Sequence, residues 1–122
     1  MRFDDRLQTS LRHAADDNIS VATRWRQLID ILSQNPKHFP ADTVRNGLLQ
    51  ARRLLPHTKA DQRLASVKSL SGRIKSAPLV QLLAADLAPI AAATIEGARL
   101  SDQQWADIIP QLPIRARGFL RN

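Results

Sequence analysis

The stretch SAPLVQLLAADLAPIAAATIEG, Ser76 to Gly97, decides how the chain is read. Ala77 to Ile95 is its most apolar part, and such a stretch suits either a membrane or a protein core. Pro78, Asp86 and Pro89 interrupt it, so it falls short of the ~20 continuous apolar residues that a membrane span needs. Proline is tolerated in the first turn of a helix and disruptive in its interior. Ser76-Ala77-Pro78 therefore opens one helix, carrying Leu79, Val80, Leu82 and Leu83. Ala88-Pro89 opens a second, carrying Ile90, Ala91, Ala92, Ala93 and Ile95, with Gly97 closing it. Both are apolar nearly all round, which places them centrally in a helical domain. The alanine run lets a neighbour approach closely.

Toward the N-terminus the pattern changes from all-round apolar to striped. Ala60, Leu64, Val67 and Leu70 line one face of a helix over about Lys59 to Leu70, with Thr58 as its expected N-cap and Gly72 after its end. Val44, Leu48, Ala51 and Leu55 do the same over Ala41 to Leu55, between Pro40 and Pro56. Val21, Trp25, Leu28 and Leu32 mark a helix over Ile19 to Ser33, widened by Ala22 and Ile29 and ended by Gln34-Asn35-Pro36. Phe3, Leu7 and Leu11 predict a first helix over Phe3 to His13. Toward the C-terminus, Ser101-Asp102-Gln103-Gln104 matches a capping box. Trp105, Ile108, Ile109 and Leu112 follow it at helical spacing until Pro110 kinks or ends the helix, and Pro113 to Leu120 supplies a last helical piece. The expected fold is all-α: seven or eight short helices in consecutive hairpins, as a HEAT-like stack or an irregular helical bundle. No fixed-period repeat is visible in the residues themselves.

The 122 residues suit one domain, with 43% of them hydrophobic and dominated by Leu, Ile and Ala. There is no cysteine, so disulfides and thiolate metal sites are excluded. Met1 to Arg12 alternates acid and base and has no apolar signal segment. A cytoplasmic protein is expected. Arg117 to Asn122 still carries apolar residues with no stop signal, which suggests an N-terminal piece of a longer chain.

The net charge of +7 is concentrated. From Lys37 to Lys75 the bases are Lys37, Arg45, Arg52, Arg53, Lys59, Arg63, Lys68, Arg73 and Lys75, against only Asp42 and Asp61, so the whole excess falls there. Arg45 and Arg52 are seven apart on one helix and share a face. Arg45, Arg52, Arg53, Arg63 and Lys68 are the candidate interaction surface, all expected to be exposed. Phe39 is the only aromatic residue in that region, and no helix has the Asn/Gln/Arg-rich exposed face of a DNA-recognition helix. An acidic protein surface, anionic lipid or a merely solvated face is therefore preferred to nucleic acid phosphates as a reading of the basic region, with a protein-interaction module the first functional reading and a nucleic-acid-binding regulator the second.

Nothing in the sequence points to catalysis. His13, His38 and His57 fall at expected helix ends or loops, without a second ligand at zinc spacing. The adjacent pairs Asp4-Asp5 and Asp16-Asp17 diverge by about 100° on a helix and do not form an acid/base dyad. Gly47, Gly72, Gly97 and Gly118 are scattered, so no phosphate-cradling loop exists. No enzyme activity, cofactor or metal is expected. Trp25 and Trp105 lie on apolar stripes and read as core. A small-ligand sensor, with an apolar pocket between helices near them, is the third functional reading.

Two stretches carry a family resemblance. One is Met1 to Leu7 followed by Arg24-Trp25-Arg26-Gln27-Leu28-Ile29-Asp30-Ile31-Leu32. The other is Ala98-Arg99-Leu100-Ser101, Trp105 to Leu112, and Pro113-Ile114-Arg115-Ala116-Arg117-Gly118-Phe119-Leu120. Together they resemble the N-terminal helical region of sensor histidine kinases from sphingomonad-type alphaproteobacteria. The resemblance implies a cytoplasmic two-component sensor in which this module is the non-catalytic regulatory or signal-input part. Its partners would be another protein, the downstream domains of the same chain, or a second copy in a homodimer. The phosphoacceptor-histidine context and the ATP-binding glycine boxes of such kinases are absent from these residues.

Overall fold

The computed structural model describes residues 20–121, and among them the structure is all-helical. Seven helices follow one another: α1 (Val21–Leu32), α2 (Ala41–Leu54), α3 (Ala60–Ser69), α4 (Ala77–Ala84), α5 (Ala88–Gly97), α6 (Asp102–Ile108) and α7 (Ile114–Arg117). Short 3₁₀ turns at Pro36–His38, Leu55–His57, Ile109–Gln111 and Gly118–Arg121 lie in the connections and at the end of the last helix. The helix expected over Phe3 to His13 lies outside the described residues.

Local chemistry sets the boundaries. The Ser20 hydroxyl accepts from the Thr23 amide at 3.2 Å and starts α1. Ser76 caps α4 through the Leu79 amide, with Pro78 in its first turn. At α6 the capping box is complete: Ser101 Oγ accepts from the Gln104 amide and Gln104 Oε1 from the Ser101 amide. Pro110 ends α6, and the chain tightens into the 3₁₀ turn that contains it. The last piece is one α turn, α7, followed by 3₁₀ geometry. Thr58 does not cap α3. Its hydroxyl donates to the Leu54 carbonyl at 2.9 Å, and Lys59 holds the N-cap position without a side-chain bond. The carbonyls at the end of α2 lack helical partners, and the hydroxyl satisfies one of them.

The helices stack in two files. α1 packs on α3, α3 on α5 and α5 on α7, while α2 packs on α4 and α4 on α6; α1–α2 and α4–α5 contacts join the files. Between them lies one core that includes Trp25, Leu28, Ile29, Leu70, Ile74, Leu79, Leu83 and Ile90, all at most 2% exposed. Each such side chain contributes roughly 1.5–3 kcal/mol when fully buried. The two apolar helices α4 and α5 sit inside this stack, as their composition requires. Trp25 also donates its ring N–H to the Ala51 carbonyl at 3.1 Å, which satisfies its polar end inside the core.

The connections from the first file to the second meet along one edge. Lys75 N donates to Ser33 O at 2.7 Å, Gly72 N to Gly97 O at 2.9 Å, and Arg99 N to Ile74 O at 2.8 Å. The segments around Ile74 and Ala98 run parallel there, as an isolated bridge. Two glycines permit the approach. Gly72 takes φ of +80°, and a Cβ on Gly97 would lie 3.0 Å from the Ser71 Cα.

Candidate interaction surface

The opposite edge is tied by side chains, and here one sequence expectation is overturned. Arg63 is not exposed; it is 8% accessible. Its Nε and Nη2 reach Asp86 Oδ2 and Oδ1 at 2.8 and 3.0 Å in a bidentate pair. Its Nη1 donates to the Leu55 carbonyl at 3.2 Å and also to the Thr58 carbonyl. Asp86 Oδ1 accepts in addition from the Leu87 amide at 2.7 Å. A buried charge is tolerated only when paired and fully hydrogen-bonded, and this one joins the α2–α3 connection to the α4–α5 connection. Arg115 extends the tie: its Nη2 donates to the Ala85 and Asp86 carbonyls at 3.3 and 2.7 Å, bringing α7 to the same turn. Arg63 is therefore removed from the interaction surface.

The other four candidates are exposed but do not form one patch. Arg45, Arg52 and Arg53 lie on the outer face of α2, with Asp42, Asn46 and Leu49. Arg45 pairs with Asp42 at 3.1 Å, both largely in solvent, which adds little stability. Lys68 is on α3, in the other file. The surface therefore reduces to the three α2 arginines.

Beside them runs an open groove that no local sequence pattern announces. Leu48, Arg52 and Leu55 from α2 and its following turn form one side. Pro78, Gln81 and Leu82 from α4, with Ala85 and Asp86 just after it, form the other, and Gln111 and Pro113 close one end. Gln81 Nε2 donates to Gln111 Oε1 at 2.8 Å, joining the α4 wall to that end. Leu48, expected on the inner face, is half-buried because it lines this groove. The Asp86 carboxylate contributes no free charge, since Arg63 and the Leu87 amide occupy it. Three large apolar side chains stand exposed among the described residues: Leu49 at 46%, Leu87 at 51% and Ile114 at 83%. Each follows a groove-lining residue in the chain, Leu48, Asp86 or Pro113, but none of the three lines the groove itself.

Trp25 is fully buried with its N–H satisfied, so it packs the core and presents no surface to a ligand. Trp105 is half-buried against the core. His38 and His57 are exposed in the 3₁₀ turns after α1 and α2, and His13 lies outside the described residues. Among the described residues no three histidines or carboxylates gather as a metal site, and no helix is long and apolar enough to cross a membrane. No family model, curated protein or solved structure matches the chain.

Proposed function

We propose that this domain is a non-catalytic protein-interaction module that serves as the regulatory, signal-input part of a cytoplasmic two-component sensor histidine kinase. The observation that carries the interaction reading is the outer face of α2, where Arg45, Arg52 and Arg53 surround the exposed Leu49. Arginine beside apolar surface is what protein interfaces favour. A phosphate-binding surface would want cations spread along a longer track, and here Arg63 is committed inside and Lys68 belongs to the other file. The kinase context rests on the family resemblance of the two ends of the chain. The packed files are a suitable transmitter, because a partner pressing on α2 acts through α4 on the helices stacked below it.

The test is a pull-down with the chain as bait, at low and high salt, with and without nuclease. A nuclease-resistant protein partner, lost on replacing Arg45, Arg52 and Arg53 with Glu, is the expected result. Recovery of nucleic acid that disappears at high salt would replace this reading with phosphate binding by the same face.

A further inference from the structure

We propose that the groove between α2 and α4 takes an amphipathic, acidic segment of a partner protein, aliphatic side chains down and carboxylates toward Arg52. This rests on the interaction-module reading and assigns it a site. The groove's apolar lining is Leu48, Leu55 and Leu82 with Pro78 and Pro113, and its width is set by two helices of one file. That is the setting in which an amphipathic helix lays its apolar face between two others.

Charge selects the occupant. The one uncommitted cation lining the groove is Arg52, and Arg53 follows it on the exposed face. Arg115 stands at the far end, bonded only to carbonyl oxygens, so its charge is not neutralised. The single carboxylate in the lining, Asp86, is neutralised by Arg63. Asp107, an exposed acid on α6, accepts at its backbone carbonyl from Gln111 Nε2 and is not in the lining. A partner bearing carboxylates on its flank is therefore favoured over a basic one. The Gln81–Gln111 amide pair supplies donors and acceptors that can turn to the partner's polar groups.

The probe is a fluorescent helical peptide built of Glu and Leu, read by anisotropy against the whole chain. A peptide of the same pattern with Lys for Glu is the control. The Glu peptide is expected to bind and the Lys peptide to bind about tenfold or more weakly. Ala85→Trp fills the groove from an exposed position and should abolish binding with the helical circular dichroism unchanged. Arg73→Glu, beside α1, should leave binding as it was. Equal binding of both peptides, no binding of the Glu peptide, or undiminished binding to Ala85→Trp would overturn the groove assignment. A protein partner still captured from lysate by Ala85→Trp would also overturn it while leaving the interaction reading intact. Capture of nucleic acid alone would sink that broader reading.

Discussion

Arg63 and Arg52 are eleven residues apart on adjacent helices, look alike in the sequence and do opposite things. Arg63→Ala strands the Asp86 carboxylate in a buried site and removes donors from the Leu55 and Thr58 carbonyls. It should destabilise the domain by about 3–5 kcal/mol, measured by urea denaturation. Arg52→Ala, at an exposed position, should stay within about 0.5 kcal/mol of the parent in the same experiment. Arg63→Lys is not a rescue, because an ammonium cannot reproduce the two-pronged contact with Asp86. The sequence held a signal for this that charge counting obscured. Arg63, Val67 and Leu70 are spaced i, i+4, i+7, which puts the arginine in register with buried side chains. Asp86 likewise interrupts the most apolar stretch of the chain. Two opposite charges that each break an apolar pattern are candidates for one another, yet 23 residues separate them and no local rule pairs them.

At the scale of the helix, legibility followed from how local the cause is. The Ser76-Ala77-Pro78 start and the Ser101 to Gln104 capping box depend on four adjacent residues, and both stand as read. Thr58 had two helix ends within reach, and sequence cannot weigh the carbonyl at Leu54 against the amides of α3. The groove is likewise invisible from sequence because its two walls, the α2 side and α4, are joined only in space. Ser101→Ala should cost about 0.5–2 kcal/mol through loss of the cap, and amide exchange should quicken first in α6. Gly97→Ala meets the Ser71 backbone, which cannot swing aside as a side-chain tip would. A loss of about 1–3 kcal/mol is expected from overpacking. A melting temperature equal to that of the parent would show that α3 and α5 separate more easily than their spacing implies.

For the whole molecule, the two-file arrangement makes stability a matter of neighbours two helices apart. α3, α4 and α5 are each gripped from more than one side, whereas α7 is a single turn at the end of its file. Hydrogen exchange should therefore be slowest in α4 and α5 and fastest in α7, with α6 between. Replacing Arg45, Arg52 and Arg53 together with Glu should leave that protection pattern unchanged, because none of the three carries the packing. An altered pattern would mean that the outer face of α2 is part of the stack's support. The two edges, however, are built of different material: one is fastened by backbone bonds at Ser33–Lys75, Gly72–Gly97 and Ile74–Arg99, the other by two arginine side chains. Substitution can cut the second directly, whereas it reaches the first only at the glycines that permit the close approach. Stretched by its ends, such a chain would shed α7 and α6 readily. The pull from the C-terminal side would then meet the parallel segments at Ile74 and Ala98, while α1 to α3 remain packed on the N-terminal side. The domain would resist tension most strongly after losing its last two helices, a mechanical threshold set by main chain alone and indifferent to salt or surface charge.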